Sequence, residues 1–217
     1  TIPENLELDN VSYRFAEEDL DVLQEINLRV ETGQKVGIIG ETGSGKSTLL
    51  ELLMGLRLPT KGSQNFNAMS WVDEGMVGYV PQKPVLLNGS IQENIILGRS
   101  SVRQDIDSLI KPLKLDKLGE DYWVGEQGSR LSGGQIQRVS IARALYTNPS
   151  FIFLDEITSA LDKLTEIEII EFLSTALEDC TVFLVTHQPE ILRICNIVVK
   201  LESGRLSDVT KHYKNNS

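Results

Sequence analysis

One stretch, Gly40-Glu-Thr42-Gly43-Ser44-Gly45-Lys46-Ser47-Thr48, constrains this chain more than any other. It stands between a short apolar run, Val36 to Ile39, and a run with helical spacing, Ser47 to Leu56. A strand that passes through three glycines into a helix lets an anion come up against bare backbone. Glycine leaves room and takes up φ > 0. A helix start offers unsatisfied N–H groups and the positive end of its dipole. The pattern is G-x-x-x-x-G-K-[ST], a phosphate cradle, in the strand-to-helix setting that it requires. In such a cradle Lys46 reaches the β- and γ-phosphates and Ser47 holds Mg2+. The bland reading is a glycine turn that only joins strand to helix, and the lysine and hydroxyl at these positions weigh against it.

An acidic chain needs a local device of this kind. The net charge is −10, and no lysine- or arginine-rich stripe offsets it, so a nucleic-acid backbone is not an expected partner. The two cysteines, Cys180 and Cys195, sit in no metal-binding pattern and read as buried or half-buried thiols. No apolar run approaches the roughly 18–20 residues that cross a bilayer, and no leader is visible from Thr1. A membrane-spanning part, if there is one, is expected outside these residues.

Along the chain, residues 5 to 15 alternate apolar and polar like a half-buried strand, and Ile26, Leu28 and Val30 alternate again. Pro59 to Gly62 reads as a break, and Val77 to Val80 as a short strand. From Val85 to Arg130 strand-like runs give way to short helical patches, Ile91 to Leu97 and Val102 to Leu109. Gln135 to Tyr146 is expected to be helical and Phe151 to Leu154 a buried strand. Leu164 to Leu177 is expected to be an amphipathic helix with Leu164, Ile167, Ile170, Leu173 and Leu177 on its apolar face. Thr181 to Val185 reads as a strand, Ile197 to Leu201 with Ser203-Gly204 as a hairpin, and Lys211 to Ser217 as a frayed tail. Strands alternating with helices predict an α/β fold with a mainly parallel sheet.

The strand at Phe151 ends in Asp155-Glu156. Carboxylates there lie where open parallel sheets bind ligands. Asp155 is suited to hold Mg2+ or its water shell, and Glu156 to accept a proton from an attacking water. Alone this is an ordinary polar strand end; beside a phosphate cradle, which needs a carboxylate for its metal, it gains weight. A second glycine-opened helix start, Leu131-Ser132-Gly133-Gly134-Gln135, has a serine at the cap position. It reads either as a cap alone or as another anion site.

That pentapeptide resembles the signature of the ABC ATPases, and the rest of the chain matches the family in order from about Leu6 to Leu206. Gln82 in Tyr79-Val-Pro-Gln82 looks like the family's Q-loop, Ser159-Ala-Leu-Asp162 like its D-loop and His187 like its switch histidine. Phe15 falls where the family places an aromatic that stacks on adenine, with Tyr13 the weaker choice and a core candidate. The resemblance implies a P-loop ATPase core with an antiparallel N-terminal β subdomain and an inserted α-helical subdomain. The divisions are expected at 1–82, 83–147 and 148–217.

It also implies that two such domains pair head to tail around two ATP molecules. Each ATP would lie between the cradle of one protomer and Ser132, Gly133, Gly134 and Gln135 of the other. Glu156 would then be the general base, His187 would contact the γ-phosphate, and Gln82 would contact Mg2+ or the water. Expected partners are a second nucleotide-binding domain, a homodimer being the leading choice, and transmembrane domains that hold the chain at the cytoplasmic face of a membrane.

Asn88 to Asn94 and Val124 to Gly128 resemble exporter segments. They favour an exporter or flippase over an importer subunit. Three features depart from that branch. Phe15 stands for the commoner tyrosine, residues 63 to 76 are short and lack the branch's usual arginine, and Gln188 follows His187 where exporters often carry arginine. The alternatives kept are a soluble ATPase of the same family in a non-transport process, an importer subunit, and a regulatory module that senses ATP without turnover. The presence of both Glu156 and His187 weighs against the last.

Overall fold

The computed structural model describes residues 4–16, 19–66, 71, 75–97 and 105–210. The expectations for Thr1, for residues 102–104, for part of 63–76 and for the Lys211–Ser217 tail lie outside these. In chain order the elements are β1 (Asn5–Tyr13), β2 (Leu23–Glu31), β3 (Lys35–Ile39), α1 (Lys46–Leu53), β4 (Lys61–Gln64) and β5 (Val77–Val80). Then come α2 (Ile91–Ile96), α3 (Ile106–Ile110), a 3-10 turn at Glu126–Gly128, α4 (Gly133–Leu145), β6 (Phe151–Asp155) and α5 (Lys163–Ala176). The chain closes with β7 (Thr181–Val185), α6 (Pro189–Leu192), β8 (Ile197–Glu202) and β9 (Arg205–Asp208). These elements fall into two units, residues 1–74 with 179–217, and residues 75–178.

In the first unit β1 is the middle of an antiparallel sheet ordered β2-β1-β4. The alternation expected of β2 is realised, with Leu23, Ile26, Leu28 and Val30 buried between exposed polar residues. Strand β4 is a correction: Lys-Gly-Ser-Gln carries no apolar side chain, falls partly in the expected break, and is a strand only because β1 offers it an edge. Strand β3 lies between β7 and β8, parallel to both, and β8 turns back into the antiparallel β9. Ser203 and Gly204 join those two at φ 48° and 77°, the positive values that a two-residue hairpin turn needs. Helix α1 buries Leu49, Leu50, Leu52 and Leu53, each contributing roughly 1.5–3 kcal/mol. It stops at Leu53, earlier than the expected Leu56, because Gly55 at φ 72° turns the chain back.

In the second unit β5 and β6 pair in parallel, and α2, α3 and α4 fall between them in sequence. Every residue of β6 is buried, as for a strand covered on both faces. Parallel pairs thus dominate around β3, β6 and β7, and the expected α/β fold with an antiparallel N-terminal sheet is found. Helix α5 corrects the expected apolar face. Leu164 is 77% exposed and Ile167 39%, and the inner face is Glu166, Ile169, Ile170, Leu173 and Leu177. Both sets have helical spacing; the one that also holds Ile169 buries more apolar surface, at the cost of taking Glu166 inside, where Lys163 pairs with it at 3.2 Å. Cys180 is buried and Cys195 half-buried, both free thiols as expected. Burial pushes the Cys195 thiol up to about 12.

Candidate functional site

The cradle sits where β3 hands over to α1. Gly40, Gly43 and Gly45 take φ values of 153°, 82° and 102°. At Gly40 the constraint is also space, because a Cβ there would meet the carbonyl oxygen of Leu201 at 2.3 Å. Gly45 is the N-cap of α1 in the left-handed conformation, with no side-chain cap and no acidic residue in the first turn. That turn therefore brings no negative charge of its own to the positive end of the helix. Lys46 is buried, and its ammonium donates to the carbonyls of Gly40 at 2.9 Å and Glu41 at 2.8 Å. The Ser44 hydroxyl is buried with no hydrogen-bond partner among the described residues. A buried, unpaired hydroxyl in a glycine-lined loop fits a site built to receive polar oxygens. Ser47 and Thr48 lie in the first turn of α1, and Glu41, Thr42 and Gly43 form the exposed lip of the loop.

His187 stands beside the same loop. It follows β7 on an exposed turn, in which the buried Thr186 hydroxyl accepts the Gln188 amide N–H at 3.0 Å. His187 and Thr186 line one open cavity with Gly40 and Glu41. Gly40 and His187, far apart in sequence and both expected at the phosphates, thus line the same cavity. Phe15 follows the end of β1, half-buried, edge-on to the buried Tyr13 at 5.2 Å between ring centroids. Tyr13 is in the core, as expected.

In the other unit, β6 ends at Asp155, which is buried, and Glu156 follows at φ 51°. That conformation is uncommon for a residue with a side chain. Gln82, two residues past β5, donates its amide N–H to the Glu156 carboxylate at 2.6 Å. The parallel pairing of β5 and β6 delivers both residues to the same strand ends.

The signature forms the start of α4. Ser132 is the N-cap, its hydroxyl accepting the Gln135 backbone N–H at 3.2 Å while the Gln135 side chain accepts the Ser132 N–H at 2.8 Å. This is a complete capping box. The D-loop lies against it, since a Cβ on Gly134 would come within 3.0 Å of the Ala160 carbonyl oxygen. Asp162 caps α5, accepting the Thr165 backbone N–H at 3.0 Å and its hydroxyl at 2.7 Å. Those bonds, the side-chain one first, hold its carboxyl below the usual value.

Three supporting residues were not anticipated from the sequence. Arg138 donates to the carbonyls of Gly134, Leu113 and Lys114 and so fixes α4 against the end of α3. Burial lowers its pKa and the charge of Asp162 partly opposes that. Arg143, on the same helix, donates to the Asn94 carbonyl at 2.8 Å, the Val85 carbonyl at 2.9 Å and the Asn94 side chain at 3.0 Å. The fully buried Asn94 in turn brackets Leu87, so the segment after Gln82 is tied to the signature helix. Partners some 49 residues apart leave no local signal.

Comparison with known proteins agrees with this geometry. Residues 23–159 match the family model described as ABC transporter. The chain is 35% identical to the uncharacterized ABC transporter ATP-binding protein YfiB of Bacillus subtilis, over 95% of this chain and 38% of that protein. It is 35% identical to the alpha-hemolysin translocation ATP-binding protein HlyB of Escherichia coli O157:H7, over 96% of this chain and 31% of that one. Its fold superposes on a bacterial Atm1-family ABC exporter with ATP bound, with a TM-score of 0.88 and 30% identity, over 99% of this chain and 40% of the exporter. The chain thus spans two fifths or less of each of these proteins. Among its described residues no helix is long and apolar enough to cross a membrane. The glycine cradle, the capped signature and these matches lead to one assignment: the chain belongs to the ABC transporter family, as a nucleotide-binding domain resembling those of exporters.

Proposed function

We propose that this chain hydrolyses ATP to ADP and phosphate, and that it does so as one half of a two-protomer ATPase that drives export through transmembrane domains. The observation that supports turnover, beyond binding, is the bond between Gln82 and Glu156 at the strand end after Asp155. In this reading the α1 N-terminus and Lys46 take the phosphates. Glu156 accepts the proton of the attacking water, Gln82 orients that carboxylate and the water, and His187 donates to the γ-phosphate. Ser47, Asp155 and Gln82 would hold Mg2+, which when bound neutralises phosphate charge.

Ser132, Gly133, Gly134 and Gln135 act on the ATP of the opposite protomer. A helix start whose own cap is satisfied can serve a second chain without costing the first its fold. Residues 1–82 would carry the adenine and phosphate contacts with Ser47 and Gln82 for the metal, 83–147 the contact in trans, and 148–217 Asp155, Glu156 and His187. The names of the relatives, ATP-binding proteins of transporters and translocation systems and an ABC exporter, support membrane association and an exporter role; the cytoplasmic face is our proposed place for the chain. The test is steady-state hydrolysis of Mg-ATP by the chain and by Glu156→Gln. We expect a loss of about 100-fold or more with ATP affinity retained. Equal rates would contradict Glu156 as the base.

A further inference from the structure

The segment that follows α1 reaches the aromatic residues at the end of β1. Helix α1 closes in a tight left-handed turn: the Gly55 N–H donates to the Leu52 carbonyl and the Leu56 N–H to the Glu51 carbonyl, both at 2.9 Å. The turn reverses the chain and returns Arg57 to the helix it has just left. There its guanidinium pairs with the Glu51 carboxylate and donates to the Tyr13 hydroxyl at 2.9 Å. The same guanidinium lies over the rings of Phe15, at 4.8 Å from the centroid, and of Tyr13, at 5.5 Å. Both are within the range of cation–π attraction. Glu51 belongs to the helix that opens at Lys46, so one chain of contacts runs from the phosphate helix through Glu51 and Arg57 to the Phe15 ring.

We propose that Arg57 is a positioning residue for the nucleotide base. It covers one face of Phe15, fixes the ring's pitch relative to α1, and leaves the opposite face for the purine. This inference rests on the reading of Phe15 as the adenine platform. A half-buried ring at a strand end loses rotational freedom when a base stacks on it, and a guanidinium already held by Glu51 and Tyr13 removes that cost in advance. Lysine is a poor substitute, because it lacks the planar fork that meets carboxylate, hydroxyl and ring together.

The test compares two probes on the chain, Mg-ATP and inorganic tripolyphosphate, which has phosphates and no base. Arg57→Ala and Glu51→Gln are expected to weaken ATP binding by about 3- to 10-fold and to leave tripolyphosphate binding unchanged. Arg57→Lys should recover only part of the loss. Phe15→Ala should show the same selective pattern, and adding Arg57→Ala to it should bring no further loss. If Phe15→Ala leaves ATP affinity unchanged, the platform reading itself falls. If Phe15→Ala weakens ATP while Arg57→Ala does not, or if the two losses add, the platform stands and the role of Arg57 is overturned. Equal weakening of both probes by Arg57→Ala also overturns it, because the effect would then be on the cradle.

Discussion

Two helices of this molecule begin with glycine and serine, and they begin differently. Helix α1 has Gly45 as its N-cap, left-handed at φ 102°, with no side chain closing the end. Helix α4 has Ser132, extended at φ −69° and ψ 160°, and a reciprocal box with Gln135. The first end places no capping side chain between its backbone and whatever enters the loop. The second satisfies donors on its own and is stable while it waits. An anion at α1 meets no side-chain cap, whereas one at α4 meets a cap already in place. The difference fits the unequal roles proposed for them, one to bind and one to complete a site on another protomer.

The largest effect should come from the open end. Lys46→Ala removes charge-assisted bonds and is expected to weaken ATP by about 10- to 100-fold in a fluorescent-nucleotide titration, and turnover with it. Unchanged affinity would erase the contrast from the cradle side. Ser132→Arg should abolish turnover while a single chain still binds ATP normally; parallel loss of both would mean that the signature serves its own chain. A smaller effect is expected from Ser132→Ala, which opens the box and should cost about 1 kcal/mol of stability in denaturant titration with ATP affinity intact. A stable Ser132→Ala protein would show that the α4 end is satisfied by other means.

The smallest concerns a third helix start, where the cap is a charge. The Asp162 carboxyl is held below its ordinary value of 3.8 by Thr165. Its contribution to stability is therefore complete above that value and fades as pH falls through the lower folded value. Asp162→Asn keeps a cap without the charge and should flatten the acid limb of the Tm-versus-pH curve relative to wild type. An unchanged acid limb would show that the Asp162 charge does not stabilise the helix start.

The open end was legible in sequence because its chemistry is local: every residue of the cradle lies within nine consecutive positions, and the strand before it and the helix after it were both readable. The signature was legible for the same reason. What could not be read is what one strand or helix does for another. Strand β4 has no pattern of its own, and its identity comes from pairing with β1. Helix α5 carries apolar residues on two overlapping faces, and only its packing decides that Ile169 goes in and Leu164 stays out. Gln82 meets Glu156 across 74 positions. Arg57 reaches Phe15 only because the turn at Gly55 sends it back.

In the proposed dimer the open end of one chain and the capped end of another meet on one ATP. Light scattering coupled to size exclusion tests it on Glu156→Gln, where bound ATP persists. A doubled mass is expected with Mg-ATP, the mass of one chain with Mg-ADP, and the mass of one chain again when Ser132→Arg is added in the presence of Mg-ATP. A single-chain mass for Glu156→Gln with ATP demonstrably bound, or doubling that survives Ser132→Arg, would contradict it.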